Sequence, residues 1–171
     1  MAAGSTYTPI ATTTLSAVAQ GITFTGISSA YTDLILVLAL ISQTAGNDVR
    51  YRVGNGSIDS TTNYSATHIT GNGSAASSDR TASTYIPFYR VVGTTTSPAT
   101  LIICFQNYSN TSTYKSTLAR NSSTASEVGA HVGLWRSTSA INQIYIFEDG
   151  NTSPQQFAIG TTATLYGIAA A

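Results

Sequence analysis

Charge is what this sequence has least of. Of 171 residues only 8% are charged, with seven basic and seven acidic side chains and a formal net charge of zero; ordinary domains carry about 25%. Lys115 is the only lysine, and the arginines, at 50, 52, 80, 90, 120 and 136, are scattered. A nucleic-acid partner requires clustered cations that neutralise phosphates, so none is expected. Arg50 and Arg52 share one strand face beside Asp48 and read as a solvated pair. Cysteine occurs once, at Cys104, which excludes an intramolecular disulfide. Set in the apolar run Leu101–Phe105, it reads as a buried small hydrophobe, not a nucleophile. Two histidines, His68 and His131, together with one cysteine are too few for a structural zinc site. Long apolar runs are also missing. Leu34–Ile41 covers eight positions, far short of the ~20 of a membrane-spanning helix. The opening MAAGSTYTPI has neither a charged start nor an apolar stretch, so no secretory leader is expected.

What remains is β material. Hydrophobic residues make up 42% of the chain, enough to fill a core, and the length suits one domain. No window of twelve residues has a helical period. About ten short strands separated by turn residues predict an all-β chain, an antiparallel β-sandwich of jelly-roll type. Residues 1–6 read as a mobile N-terminal arm and 7–171 as a single domain. Val49, Tyr51 and Val53 alternate with Arg50 and Arg52. Leu34–Ile41 reads as a strand buried on both faces and Thr100–Gln106 as a second fully apolar strand. Pro9 and Pro87 suit edge positions. Gly71–Thr84, with no apolar residue larger than alanine, reads as a long loop. Glu127–Phe147 reads as a hairpin whose buried face carries Val128, Ala130, Val132 and Leu134, then Ile144 and Ile146. The expected core therefore contains Leu101, Ile103, Val132, Leu134, Ile144 and Ile146, with Trp135 and Cys104 in structural roles.

Little of the chain carries chemistry. No HExxH, GxSxG, GxGxxG or phosphate-binding loop occurs. His131 lies among glycines on a strand with no paired nucleophile, and reads as a packed or surface residue. The carboxylates Asp33, Asp48, Asp59, Asp79, Glu127, Glu148 and Asp149 show no spacing that pairs two across a cleft. Asp149, Asn151 and Ser153 form at most half of a calcium loop and read as a plain turn. Seven Asn-x-Ser/Thr triplets follow from a composition rich in these residues. No catalytic, cofactor-binding or metal site is expected, and a small hydrolase is the least favoured class.

Several blocks carry a resemblance. YTPIATTTL (Tyr7–Leu15), YTDLILVL (Tyr31–Leu38), NYSNTSTYKSTLAR (Asn107–Arg120), VGLWRSTSAINQIYIF (Val132–Phe147) and the ending TTATLYGI (Thr161–Ile168) are similar to a family of small virion proteins of tailed bacteriophages of aquatic bacteria. Such proteins are described as virion structural, head-decoration or tail-fibre proteins. The resemblance implies a role and no active site. The expected role is a non-enzymatic decoration (cement) protein on the outer surface of the head, bound to the major capsid protein as a homotrimer. The alternative is a tail-fibre or receptor-binding module that recognises host glycans through Tyr, Asn and Ser on its loops. For the fold, far-ultraviolet circular dichroism is expected to give a sheet spectrum; a helix content above about a quarter would overturn the reading.

Overall fold

The computed structural model describes residues 6–44, 47–89, 91–123, 127–150 and 155–169. Among them the chain forms thirteen strands and no helix: β1 (Tyr7–Thr14), β2 (Gly21–Phe24), β3 (Asp33–Leu40), β4 (Asn47–Asn55), β5 (Ser57–Ile58), β6 (Tyr64–Gly71), β7 (Ala76–Ser83), β8 (Ile86–Phe88), β9 (Ala99–Phe105), β10 (Lys115–Ser122), β11 (Val128–Trp135), β12 (Gln143–Gly150) and β13 (Thr162–Ile168). Two antiparallel sheets result. The larger runs β1-β13-β3-β9-β10-β11-β6-β7, and the smaller runs β2-β12-β4-β5, with β8 also paired to β4. Within these orders sit the quartets β1-β13-β3-β9 and β2-β12-β4-β8, the two sheets of a jelly roll. The remaining strands β10, β11, β6 and β7 extend the first quartet into one broad sheet.

The core lies between the sheets. Leu34, Leu36, Leu38 and Leu40 of β3 point inward and are fully buried, as are Leu101, Ile103 and Phe105 of β9 and Leu165 of β13. The smaller sheet meets them with Val49, Tyr51 and Val53 of β4, Ile144 and Ile146 of β12, and Ile86 and Phe88 of β8. Tyr51 reaches across the interior. Its ring stacks on Phe88 at 5.7 Å and stands edge-on to Phe105 at 5.8 Å, and its hydroxyl meets the Thr117 hydroxyl of β10 at 2.5 Å.

Several expectations need correction. Glu127–Phe147 is no hairpin: β11 belongs to the larger sheet and β12 to the smaller, so the polar link crosses from one layer to the other. The face of β11 is also inverted. Gly129, His131, Gly133 and Trp135 are buried, while Val128, Ala130 and Val132 are exposed, Val132 by 53%, and Leu134 is half-buried. Space explains the inversion. A Cβ on Gly133 would lie 2.5 Å from Ile86 Cδ1 and from Thr117 Oγ1, and 2.8 Å from the Tyr51 hydroxyl. The interior opposite β11 is already filled by its neighbours' side chains, so glycine is required there.

Leu34–Ile41 and Thr100–Gln106 each bury one face only. Ile35, Val37, Ile102 and Cys104 are half-buried on the outside, so Cys104 is not the enclosed thiol expected. Gly71–Thr84 is not a loop; it forms a hairpin in which β7 pairs with all eight positions of β6. The turn is set by the Asn72 side chain, which accepts from the Ser74 and Ala75 amides at 3.0 and 2.8 Å, and by Gly73 at φ 87°. β7 is held by backbone pairing and buries little, which hides it from a hydrophobicity reading. As a polar edge strand it resists unwanted strand pairing. Pro9 lies at a register break of the edge strand β1, and Pro87 on the edge strand β8. The proposed arm lies, apart from Thr6, outside the described residues, as do Asn151 and Ser153.

Ile103→Ala and Ile146→Ala are expected to cost about 2–5 kcal/mol each in urea unfolding, because both side chains are fully buried. Val132→Ala is expected to cost less than about 1 kcal/mol. Equal losses at all three would contradict the face assignment.

Candidate functional site

The polar groups most able to do chemistry are committed to holding the fold. β6 and β11 place His68 and His131 opposite each other, their rings stacked at 5.5 Å. Phe88 stands edge-on to His131 at 4.7 Å, and Tyr89 lies 5.0 Å from His68. His131 Nε2 meets Asn121 Oδ1 at 2.7 Å. The Asn121 amide in turn donates to the Glu127 carbonyl at 3.5 Å, so Asn121 presents its oxygen and His131 Nε2 donates. Both Nδ1 atoms are buried with no partner among the described residues. Burial, reinforced by the nearby His68, pushes the His131 pKa down to about 4. His131 is therefore neutral at neutral pH and enclosed, 1% exposed, with the His68 ring buried beside it. Among the described residues no group of three metal-ligating side chains gathers.

Asp59, which had no assigned role in the sequence, is a structural hub. Its carboxylate accepts from the Thr61 amide and hydroxyl at 2.8 and 2.6 Å, from Asn63 at 3.0 Å and from the Trp135 indole at 2.7 Å. Desolvation acts to raise its pKa, but these donors outweigh it and hold the group down at about 2. Arg50 is not solvated as expected. It bridges Asp48 at 3.6 Å and Asp149, and its guanidinium lies 4.1 Å above the Tyr85 ring. Arg52 donates to the Thr84 carbonyl at 2.9 Å and lies over Phe147. Lys115, the single lysine, is buried and donates to the carbonyls of Thr113 and Thr138. Asp149, the first member of the half calcium loop, is thus tied to Arg50; the other two members lie outside the described residues.

What remains available is the outer face of the larger sheet. Strand register places its side chains in rows. One row runs Tyr166–Ile35–Cys104–Leu118–Val132 across five consecutive strands. The next runs Val37–Ile102–Arg120–Ala130–Ile69. These two rows form an apolar band broken only by Arg120. Leu118 is 52% exposed and Ile69 and Val128 are each 61% exposed. The rows beyond are mixed: Thr162, Thr100 and Ser122 share theirs with Ala39 and the exposed Val128, and Ser116 and Ser65 share theirs with the half-buried Leu134. The face is hollowed. A depression of about 570 Å³ lies among Tyr7, Ile35, Val37, Ile102, Cys104 and Leu118, and one of about 630 Å³ lies beside Ile69, Ala76 and Val128. Sequence reasoning missed this face because it assigned Val128, Val132 and Leu134 to the core. The glycines alternating with them were the available clue.

A smaller polar groove of about 300 Å³ lies among Asn55, Ser57, Asp59, Thr61, Trp135 and Ser139. Its acidic group is already saturated, and its aromatic residue is 4% exposed. No protein-family model and no curated protein matches the chain. Among the described residues no helix is long and apolar enough to cross a membrane.

The buried histidine gives a pH dependence with a definite sign. The unfolded chain takes up the His131 proton near pH 6.5, whereas the folded chain takes it up only near 4. Between these values unfolding binds a proton, so stability falls as pH drops from about 6.5 to about 4, by roughly 2–4 kcal/mol in all. Asp59, whose pKa is lowered on folding from 3.8 to about 2, contributes stability above that window that is lost as pH falls through it. Urea unfolding from pH 8 to 3 is expected to show the first decline in the wild type and a flatter limb in His131→Gln. An unchanged slope in the variant would remove His131 as its source.

Proposed function

We propose that this chain is a non-enzymatic virion structural protein of a tailed phage, a decoration subunit of the head surface that binds the major capsid protein lattice as a homo-oligomer. One observation carries the reading: the polar chemistry of the domain is spent on holding the two sheets, while its widest side presents an uncovered apolar band. Contiguous exposed apolar area of this kind marks surfaces that pack against other proteins. An enzyme inverts that arrangement, enclosing reactive groups in a cleft and covering its outer sheets. The resemblance of Tyr7–Leu15, Val132–Phe147 and Thr161–Ile168 to small phage virion proteins supplies the setting. A surface with few charges binds through shape and burial, which vary less with salt than ion pairs do.

The rival role is a tail-fibre or receptor-binding module for host glycans. The polar groove beside Asp59 favours it by position and composition. A sugar platform, however, uses an exposed aromatic ring, and Trp135 offers only its edge to Asp59 inside the fold. Decoration is therefore the preferred reading.

Phage heads stripped of this protein are expected to take it up again in stoichiometric amount in a sedimentation assay, with uptake changing less than about threefold between 50 and 500 mM salt, since few exposed charges take part. Removal of residues 1–6 is expected to weaken uptake and leave the sheet spectrum intact. Binding to host cells or to tail tips, with none to heads, would favour the glycan-binding module.

A further inference from the structure

We propose that the outer face of the eight-stranded sheet is where copies of this chain pack on one another. The inference rests on the assembly reading of that face and names its occupant. Two rows of apolar side chains, flanked by rows in which the hydroxyls of Thr100, Ser122 and Ser116 mix with Val128 and Leu134, resemble the anatomy of a protein interface, an apolar centre that grades into a more polar rim. The single charge within the band, Arg120, is of the residue type that interfaces favour.

The size is sufficient. Eight strands about 4.8 Å apart, each presenting about seven residues at about 3.3 Å, give a face of roughly 900 Å². Stable pairs bury about 800 Å² on each partner. The apolar band fills the centre of that area, where water is excluded most completely.

The shape selects the occupant. Between the edges of the sheet the backbone amides and carbonyls are already paired along the ladders, so a partner has only to supply side chains and a matching surface. That surface is twisted. Two sheets of the same twist pack face to face at about 10 Å with their strands within about 30°. A copy of this chain carries the same twist and the same ridges, and with zero net charge two copies meet without overall repulsion. A lattice protein would have to present an equally broad apolar counter-face. The surfaces outside this face then remain for contact with the head.

The only cysteine supplies a direct probe. Cys104 lies in the middle of the first row, half-exposed in the single chain. The experiment uses the full chain. Its mass is measured by light scattering from about 1 to 100 µM, and the rate of Cys104 modification by a thiol reagent is measured over the same range. A face that packs on its own copy closes as a pair, so the expected mass at the upper end is twice 17.8 kDa, with the thiol protected at least tenfold and released on dilution. The paired substitution Leu118→Lys with Val132→Glu places opposite charges on cross-strand neighbours and leaves net charge unchanged. It is expected to return the mass to 17.8 kDa and to restore thiol reactivity. A single-chain mass at every concentration overturns the inference, as does an oligomer whose Cys104 reacts as fast at high as at low concentration. The wild-type thiol measurement decides the matter even if the doubly substituted chain misfolds. A single chain that still coats stripped heads would overturn this inference and leave the decoration role standing. An oligomer with protected Cys104 that ignores heads would support it and remove that role.

Discussion

Tyr51 is the side chain on which the rest of the arrangement depends. It enters from the smaller sheet, packs against Phe88 and Phe105, and ends at the Thr117 hydroxyl of the larger one. Burial raises the Tyr51 pKa well above the usual phenol range, so the hydroxyl keeps its proton and its bond to Thr117. A ring this large, placed deep between two layers, dictates what may stand opposite. The β11 position facing it is Gly133, where an added methyl would collide with Tyr51, Ile86 and Thr117. Gly129 is crowded in the same way by Asn121, His131 and Thr70. With glycines required inside, the branched residues of β11 are turned outward.

That consequence extends across the sheet. Once Val132 faces outward, register carries its row through Leu118, Cys104 and Ile35. Strand side chains alternate strictly, so one assignment propagates to every paired neighbour. The apolar exterior of the larger sheet is therefore the counterpart of how its interior is packed. A domain with 8% charged residues has few means of keeping such a face wet, which is the ground for the association proposed above.

The polar groups that remain are spent on internal geometry. Asp59 ties the segment after β5 to Trp135, Lys115 caps the carbonyls of Thr113 and Thr138, and Arg50 and Arg52 lie over the rings of Tyr85 and Phe147. Burial leaves such groups no alternative to a protein partner, because an unpaired polar atom costs more than the bond returns. The two histidines sit within this scheme as packed, buried rings. Their pairing comes from strand register, since His68 and His131 are 63 residues apart in the chain and directly opposite across β6 and β11.

The sequence by itself determined the material: strands and no helix among the described residues, the alternation that buries Val49, Tyr51 and Val53, the inward Ile103, Ile144 and Ile146, and the edge placement of Pro9 and Pro87. Each of these follows from local period, turn residues or missing donors, which act within a few residues. Tertiary structure alone decided which face of β11 goes inside, because that choice depends on the volume of side chains from β4, β8 and β10. It also decided that β11 and β12 lie in different sheets, and that the polar stretch Ala76–Ser83 is a strand held by its neighbour's backbone. The candidate site was illegible for the same reason: an outward apolar row exists only once register across five strands is set, and register is a property of pairing between distant segments.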